Sequence, residues 1–374
     1  MTSSTEPARS YDVAAFVWPA YTGDEIRSRP FWPEGYGEWE TVHAAQPKFP
    51  GHQWPRRPRW GYVNEADPYV MEMQIAAAAD HGVNIFIYDW YWYDGRPFLE
   101  QCLKNGYLAA RNNDRVRFYL MWANHDVTHL WDRRLADVPG NVIWRGAVER
   151  HEFERAAQHM IDSFFTHPSY YTIDGAPVLM IYELDQLING LGGIDATASA
   201  LNWWRERARD AGLPDIHLQL SAHRGGLPDC SGIDGKAGAT DAQILDHLGF
   251  QSQTHYQMVH FTDVDRPYPD IIPDKVRVWN DMDTGMPYFP HVSLGWDNNP
   301  RHARLQRPIT TDTEPQHIET ALREARSYLD SHPDQPPLVT INSWNEWTEG
   351  SYLQPDSHNG YACLEAVKRV FGSA

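Results

Sequence analysis

Pro337-Leu338-Val339-Thr340-Ile341-Asn342-Ser343-Trp344-Asn345-Glu346-Trp347-Thr348-Glu349-Gly350 begins as an apolar, β-branched run and breaks off into amides, indoles and carboxylates. Its first half reads as a buried strand. An apolar strand that ends in a polar, aromatic and acidic cluster is what the catalytic rim of a β/α barrel looks like. Glu346 and Glu349 stand three apart between tryptophans. Such a pair suits the breaking of a glycosidic bond, where one carboxyl gives a proton and the other takes or stabilises one. Trp344 and Trp347 offer flat apolar faces for sugar rings. The plainer reading of the same pair is two solvated charges at a strand end.

Working outward, the same alternation runs through all 374 residues. Val13 to Trp18 reads as strand one, followed by a Pro- and Trp-rich insertion at 19–66, too irregular for helix. Asp67-Pro68 opens a helix with a capping side chain and a proline in its first turn, and Gly82 closes it. Strands follow at 83–89, 116–121, 177–182, 216–221, 250–256, 288–295 and 338–344. Helices are expected at 97–112, 147–166, 195–211, 242–249, 314–331 and 359–371. Eight strands separated mostly by helices predict an α/β fold, a (β/α)8 TIM barrel. It forms a single domain over 11–374 with long βα-loop insertions, behind a flexible N-terminus at 1–10. No repeat of 20–50 residues suggests a solenoid.

In a barrel, function gathers beyond the C-terminal ends of the strands. Those ends carry Trp18 after strand one, Tyr88-Asp89-Trp90-Tyr91-Trp92-Tyr93 after strand two, and Trp122-Ala123-Asn124-His125 after strand three. Tyr182-Glu183, Ser221-Ala222-His223 and Gly295-Trp296-Asp297-Asn298 follow strands four, five and seven, and Asn345 and Trp347 flank the acids. The expected subsite faces are Trp18, Tyr88, Trp90, Trp92, Trp122, Trp296 and Trp347. The expected hydroxyl binders are Asp89, Asn124, His125, Asp297 and Asn345. A carboxylate among rings, as at Asp89, needs a partner or a role. The aromatic run around it could equally be core. His125 and His129 have a spacing that can hold a metal on a helix, but no third ligand or H-E-x-x-H accompanies them, so no metal is expected. His255 and His260 read as a subsite wall or a packed pair, and Gly51 to Arg56 as a loop over the cleft. No nucleophile elbow, Walker A or dinucleotide fingerprint is present, and no cofactor is expected.

Composition sets outer bounds. Aromatic residues make up 13% of the chain, with 16 Trp and 19 Tyr, enough to line a saccharide groove as well as a core. A net charge of −18 disfavours nucleic acid and anionic membranes as partners. Residues 1–7 have neither a basic nor an apolar signal region, and no stretch suits a membrane span. Cys102, Cys230 and Cys363 are sparse and odd in number, favouring free thiols and a cytoplasmic location.

Taken together, several segments resemble the glycoside hydrolase family 99-like proteins, also known as the WbsX-like group. They are Lys48 to His52, Tyr88 to Tyr93 with Gly95, Trp122-Ala123-Asn124, and Gly295 to Asn298 with Pro300-Arg301. Asn342 to Gly350, Gly360-Tyr361 and Leu364-Glu365 complete the set. The resemblance runs from about residue 11 to 371 and implies a (β/α)8 barrel with its active site at the C-terminal rim. Among endo-acting α-mannosidases and mannanases of this kind, the N-E-W-x-E-G segment supplies both catalytic carboxylates. The resemblance therefore implies that Glu346 deprotonates the sugar 2-hydroxyl. Glu349 would protonate the leaving oxygen and then activate water. O2 attacks the anomeric carbon, giving a 1,2-anhydro sugar and net retention. This requires O2 trans to the leaving group, as in α-mannosides and α-L-rhamnosides. The expected partner is an oligosaccharide or glycoside. The alternatives are a glycosyltransferase or transglycosylase of polysaccharide biosynthesis, and a carbohydrate-binding barrel without catalysis.

Overall fold

The computed structural model describes residues 9–138, 140–223, 239–282 and 284–372. Most of the expected N-terminal tail, the bulk of the loop after strand five and Cys230 lie outside these residues.

Eight parallel strands form the barrel: β1 (Asp12–Val17), β2 (Ile85–Tyr93), β3 (Arg117–Trp122) and β4 (Ala176–Ile181), then β5 (His217–Ser221), β6 (Ser252–Thr254), β7 (His291–Ser293) and β8 (Leu338–Asn342). They pair in the order β6-β5-β4-β3-β2-β1-β8-β7. Representative partners are Ala14 with Ile85, Leu120 with Leu179 and Ala14 with Thr340. A bridge between Gln253 and Tyr288 joins β6 to the approach of β7 and completes the circuit. Most strand residues are buried on both faces, as a parallel sheet wrapped in helices requires. The eight-stranded barrel is thus the expected (β/α)8 fold.

The helical layer comprises α1 (Pro68–Asp80), α2 (Arg150–Met160), α3 (Leu184–Leu191), α4 (Ile194–Asp210), α5 (Asp241–Leu248), α6 (Tyr268–Asp281), α7 (Pro315–Ser331) and α8 (Ala362–Phe371). Asp67 caps α1 through the Tyr69 amide, with Pro68 in the first turn. In α7, Ile318, Ala321, Leu322, Ala325 and Leu329 form one buried stripe. None of the described helices is long and apolar enough to cross a membrane.

Four local expectations differ from the structure. β2 runs on to Tyr93 and turns at Asp94-Gly95, both with positive φ, into an antiparallel strand at Arg96–Phe98. That is the backbone of a tight hairpin, and it displaces the start of the helix expected at 97–112. What remains is a π-helical stretch, Cys102–Tyr107. The helix expected at 147–166 is α2 followed by a π-helical turn, Ile161–Phe165. α3 and α6 lie where no element was expected. α6 carries Pro269 and Pro273, and the first lies in the initial turn, where no amide donor is needed. The 19–66 insertion includes a short helix, Trp39–Ala44.

Candidate active site

Beyond β8 the chain forms a small hairpin, in which Asn345 pairs with Tyr352 and Glu346 with Ser351. Its tip is a 3₁₀ turn, Trp347–Glu349, closed by Gly350 at φ +66. Residues three apart eclipse on such a turn, so both acids lie on one side of it. Gly350 suits the left-handed position for a second reason: a Cβ there would meet Asp297 Cβ at 3.3 Å.

Both acids converge on one guanidinium. Arg301 donates from Nη1 to Glu349 Oε1 at 2.8 Å and from Nη2 to Glu346 Oε1 at 2.9 Å. Its Nε donates to Glu38 Oε1 at 3.0 Å, and Glu38 also accepts from the Trp18 indole. Opposite, Tyr256 Oη donates to Asp89 Oδ2 at 3.0 Å and lies 3.3 Å from Glu346 Oε2. Asp89 Oδ1 and Glu349 Oε2 have no hydrogen bond of good geometry, although the Gln257 side chain stands close enough to Glu349 to lower its pKa. Three carboxyl groups therefore share one cation, and a fourth, Asp89, joins Glu346 through Tyr256.

Burial, and then the charge of Glu349, push the Glu346 pKa well above the carboxylate range, against the pull of Arg301. Burial raises Glu349 too, again opposed by Arg301. Asp89 is raised by burial, with the Tyr256 hydrogen bond working the other way. Two interacting carboxyls of this kind titrate as a pair. An acid and a base side by side near neutral pH are what proton transfer needs.

The other expected site residues divide by the face they occupy. On β2, Asp89 and Tyr91 point inward. Tyr88, Trp90 and Trp92 point into the helical layer, because successive strand side chains alternate. Tyr88 packs on Tyr107 and its hydroxyl meets Met71. Trp90 donates to Glu100 and stacks on Trp92. Trp92 donates to Glu152 and lines a separate surface hollow of about 620 Å³. Trp122 stacks on Phe153 and meets Trp204 edge-on, away from the acids. Trp347 is buried, stacked on Tyr352 and bonded to Gln354.

Asn124 spends its amide on the backbone of Glu183, donating at 2.7 Å and accepting at 2.9 Å. Asp297 accepts from His52, Trp54 and Asn299, which hold its pKa below the usual range despite burial. The Gly51 to Arg56 loop is thereby fastened to the loop after β7. Asn345 clamps the Trp18 backbone and Glu65. These three hold the rim together rather than presenting free polar groups.

Around the acids are half-buried rings: Tyr182, Tyr256, His125, His223 and His260. Tyr182 meets His125, His223 and Tyr256 edge-on, and the acids' charges help raise its pKa after burial. Burial lowers His125, and holds His255 and His260 at about 3, so the last two stay neutral. Trp296 is half-buried. No helix joins His125 to His129, and no cluster suited to a metal occurs among the described residues.

Sequence reasoning missed Glu38 and Glu65 as parts of this site, noted Tyr256 only between the two histidines of a possible subsite wall, and noted Arg301 only within a motif. Inward-facing Asp89 was itself the signal that its neighbours at 88, 90 and 92 face outward. Nothing local marks Glu38.

The model of the family described as Glycosyltransferase WbsX matches residues 13–367. Two curated relatives, both "Uncharacterized protein WxcX" from strains of Xanthomonas campestris pv. campestris, are each 27% identical over 355 residues. The match takes in 92% of this chain and 47% of each relative, so the chain spans about half the length of these proteins. Among solved structures, the GH99 endo-alpha-mannosidase from Bacteroides thetaiotaomicron has a TM-score of 0.56 at 14% identity, covering 96% of this chain and 95% of that one. A glycoside hydrolase-like protein has a TM-score of 0.60 at 14% identity, covering 100% and 98%. At such identities the likeness shows a shared fold.

Proposed function

This chain belongs to the WbsX family, and on that premise we propose that it is a retaining glycoside hydrolase acting on an α-linked, manno-configured sugar, mannose or L-rhamnose. The observation that carries the reading is the Arg301 fork. It holds one oxygen of each acid and leaves Glu346 Oε2 facing Tyr256 and Glu349 Oε2 without a hydrogen bond of good geometry. In this reading those two oxygens are the ones that meet the substrate.

In the proposed reaction Glu346 takes the proton of the 2-hydroxyl while O2 bonds to the anomeric carbon. The bond to the leaving oxygen breaks, and that oxygen takes the proton of Glu349. Water then attacks the anomeric carbon, giving its proton to Glu349. The bond from that carbon to O2 opens, and O2 recovers its proton from Glu346. No enzyme nucleophile attacks carbon, unlike the common two-carboxylate route. Burial raises both carboxyls, Glu346 further than Glu349, so the pair can hold a proton between them, and the family resemblance assigns that proton to Glu349. Tyr182, Tyr256 and Trp296 would form the sugar-facing walls, with Asp89 and His125 near the hydroxyls.

Turnover of aryl α-mannoside and α-L-rhamnoside, with the first-formed anomer read by NMR, tests this. Retention on either substrate supports it. Inversion, or turnover of α-glucosides alone, would contradict it. The family's description favours a second reading, glycosyl transfer. A sugar nucleotide consumed only when an acceptor is present would select that reading.

A further inference from the structure

A further fully buried carboxyl is bonded to the segment that carries the acids. Glu65 ends the long β1–α1 loop and has no exposed surface. Its Oε1 accepts from Gln354 Nε2 at 2.7 Å and Gln74 Nε2 at 3.0 Å, and its Oε2 accepts from Asn345 Nδ2 at 2.8 Å. The Cys102 thiol stands 4.0 Å from Oε2. The network extends to both indoles of the catalytic segment. Trp344 donates to Gln74 Oε1 at 2.7 Å, and Trp347 donates to Gln354 Oε1 at 2.7 Å. Four side chains flanking Glu346 and Glu349 thus end, directly or through one amide, on Glu65.

The backbone is built around this point as well. A Cβ on Gly106 would come within 2.2 Å of the Glu65 carbonyl, so a glycine lets the π-helical stretch close over it. Every polar neighbour of the carboxyl is a donor. An ionised carboxylate is acceptor-only and satisfies all of them, whereas a protonated one brings an O–H with nothing to receive it. The titratable groups facing Glu65 are Cys102, Tyr88 and Tyr21, and its charge helps raise all three. Among the described residues no lysine or arginine pairs with it.

We propose that Glu65 is a positioning residue: its ionised carboxylate is the common acceptor that holds Trp344 to Gln354 in register and so aims the two acids. This rests on the reading of Glu346 and Glu349 as the acid and base, and it assigns Glu65 no contact with substrate. Burial holds its pKa up at about 7, so the carboxylate that these donors face forms as pH rises through neutrality, at the cost of a buried charge.

The test is Glu65→Gln, which turns a donor toward donors at unchanged size. We expect kcat to fall on the order of tenfold to hundredfold, the cost of slight misplacement, with KM within about threefold. Glu65→Asp, which keeps the charge, should recover part of the loss. Independently of activity, hydrogen exchange of the peptide spanning 342–354 should show lost protection in Glu65→Gln at pH 8. Opening that segment exposes the carboxyl and releases its proton, so in the unmutated chain protection corrected for intrinsic exchange should be lower at pH 8 than at pH 6. That second measurement needs no variant to fold. Protection that is unchanged by both mutation and pH overturns the proposal. If the unmutated chain turns over no glycoside, the hydrolase reading fails, while the exchange experiment still decides the role of Glu65.

Discussion

Replacing Arg301 by methionine separates the site's electrostatics from its shape. The guanidinium is buried and holds Glu38, Glu346 and Glu349 at 2.8–3.0 Å. At an effective dielectric of about 20 and a charge separation near 4 Å, each attraction amounts to about 4 kcal/mol. Water entering the vacated space recovers part of it. Retaining even about 1.4 kcal/mol of the effect depletes the ionised form of a carboxyl tenfold. Arg301 lowers the proton affinity of both acids, so its loss raises both. A base that must be ionised then works only at higher pH. The acidic limb of the kcat profile should move upward, and kcat at pH 7 should fall about tenfold or more.

Arg301→Lys keeps a charge but loses the two-pronged fork. Its limb should stay near the original position while kcat drops. Stability gives a second reading. Removing one partner of a buried ion pair costs about 3–5 kcal/mol, and the loss should be larger at pH 8 than at pH 5, where protonation neutralises the stranded carboxyls. Steady-state kinetics from pH 4.5 to 9 and thermal unfolding at the two pH values measure these effects. An Arg301→Met chain with the original limb and kcat within threefold would refute the reasoning.

Two further outcomes follow from placement and burial. Trp122→Phe should lower stability by about 1–3 kcal/mol with KM unchanged, because the ring lies in the helical layer. Tyr182→Ala should do the reverse. At about 25 cal/mol per Å², a sugar covering on the order of 50 Å² of that ring gains roughly 1 kcal/mol, a five- to tenfold rise in KM. Glu65 gives a linkage signature. Its pKa rises from 4.5 to about 7 on folding, so in that window the folded chain holds a proton that the unfolded chain releases. Stability should therefore fall by roughly 3 kcal/mol as pH rises through the window. Urea unfolding at pH 5 and 7.5 should show this slope reduced in Glu65→Gln.

The barrel was legible because burial on two faces writes each strand as a short apolar run, and the helices between most strands have their own period. Prolines hid α6. The hairpin after Tyr93 had a local signal in Asp94-Gly95, masked by a helix-like stretch behind it. Glu346 and Glu349 were legible because three residues of chain suffice to pair them. Glu38 and the role of Arg301 were not, since Arg301 meets Glu346 across 45 residues and Glu38 joins only through Arg301, 263 residues away, while Tyr256 meets Glu346 across 90. The tryptophans of β2 and β3 misled because an indole reads alike in a sequence whether it faces a groove or a helix. Only the parity set by Asp89 distinguishes the two.

The acid role of Glu349 is tested most directly by Glu349→Gln on two aryl glycosides of the same sugar, one with a nitrophenolate-type leaving group and one with a poor leaving group. Loss of on the order of 10²–10⁴ in kcat/KM for the poor leaving group, the usual worth of a positioned acid, with a much smaller loss for the activated one, is the predicted result. Equal losses on both substrates, or turnover like that of the unmutated chain, would contradict it.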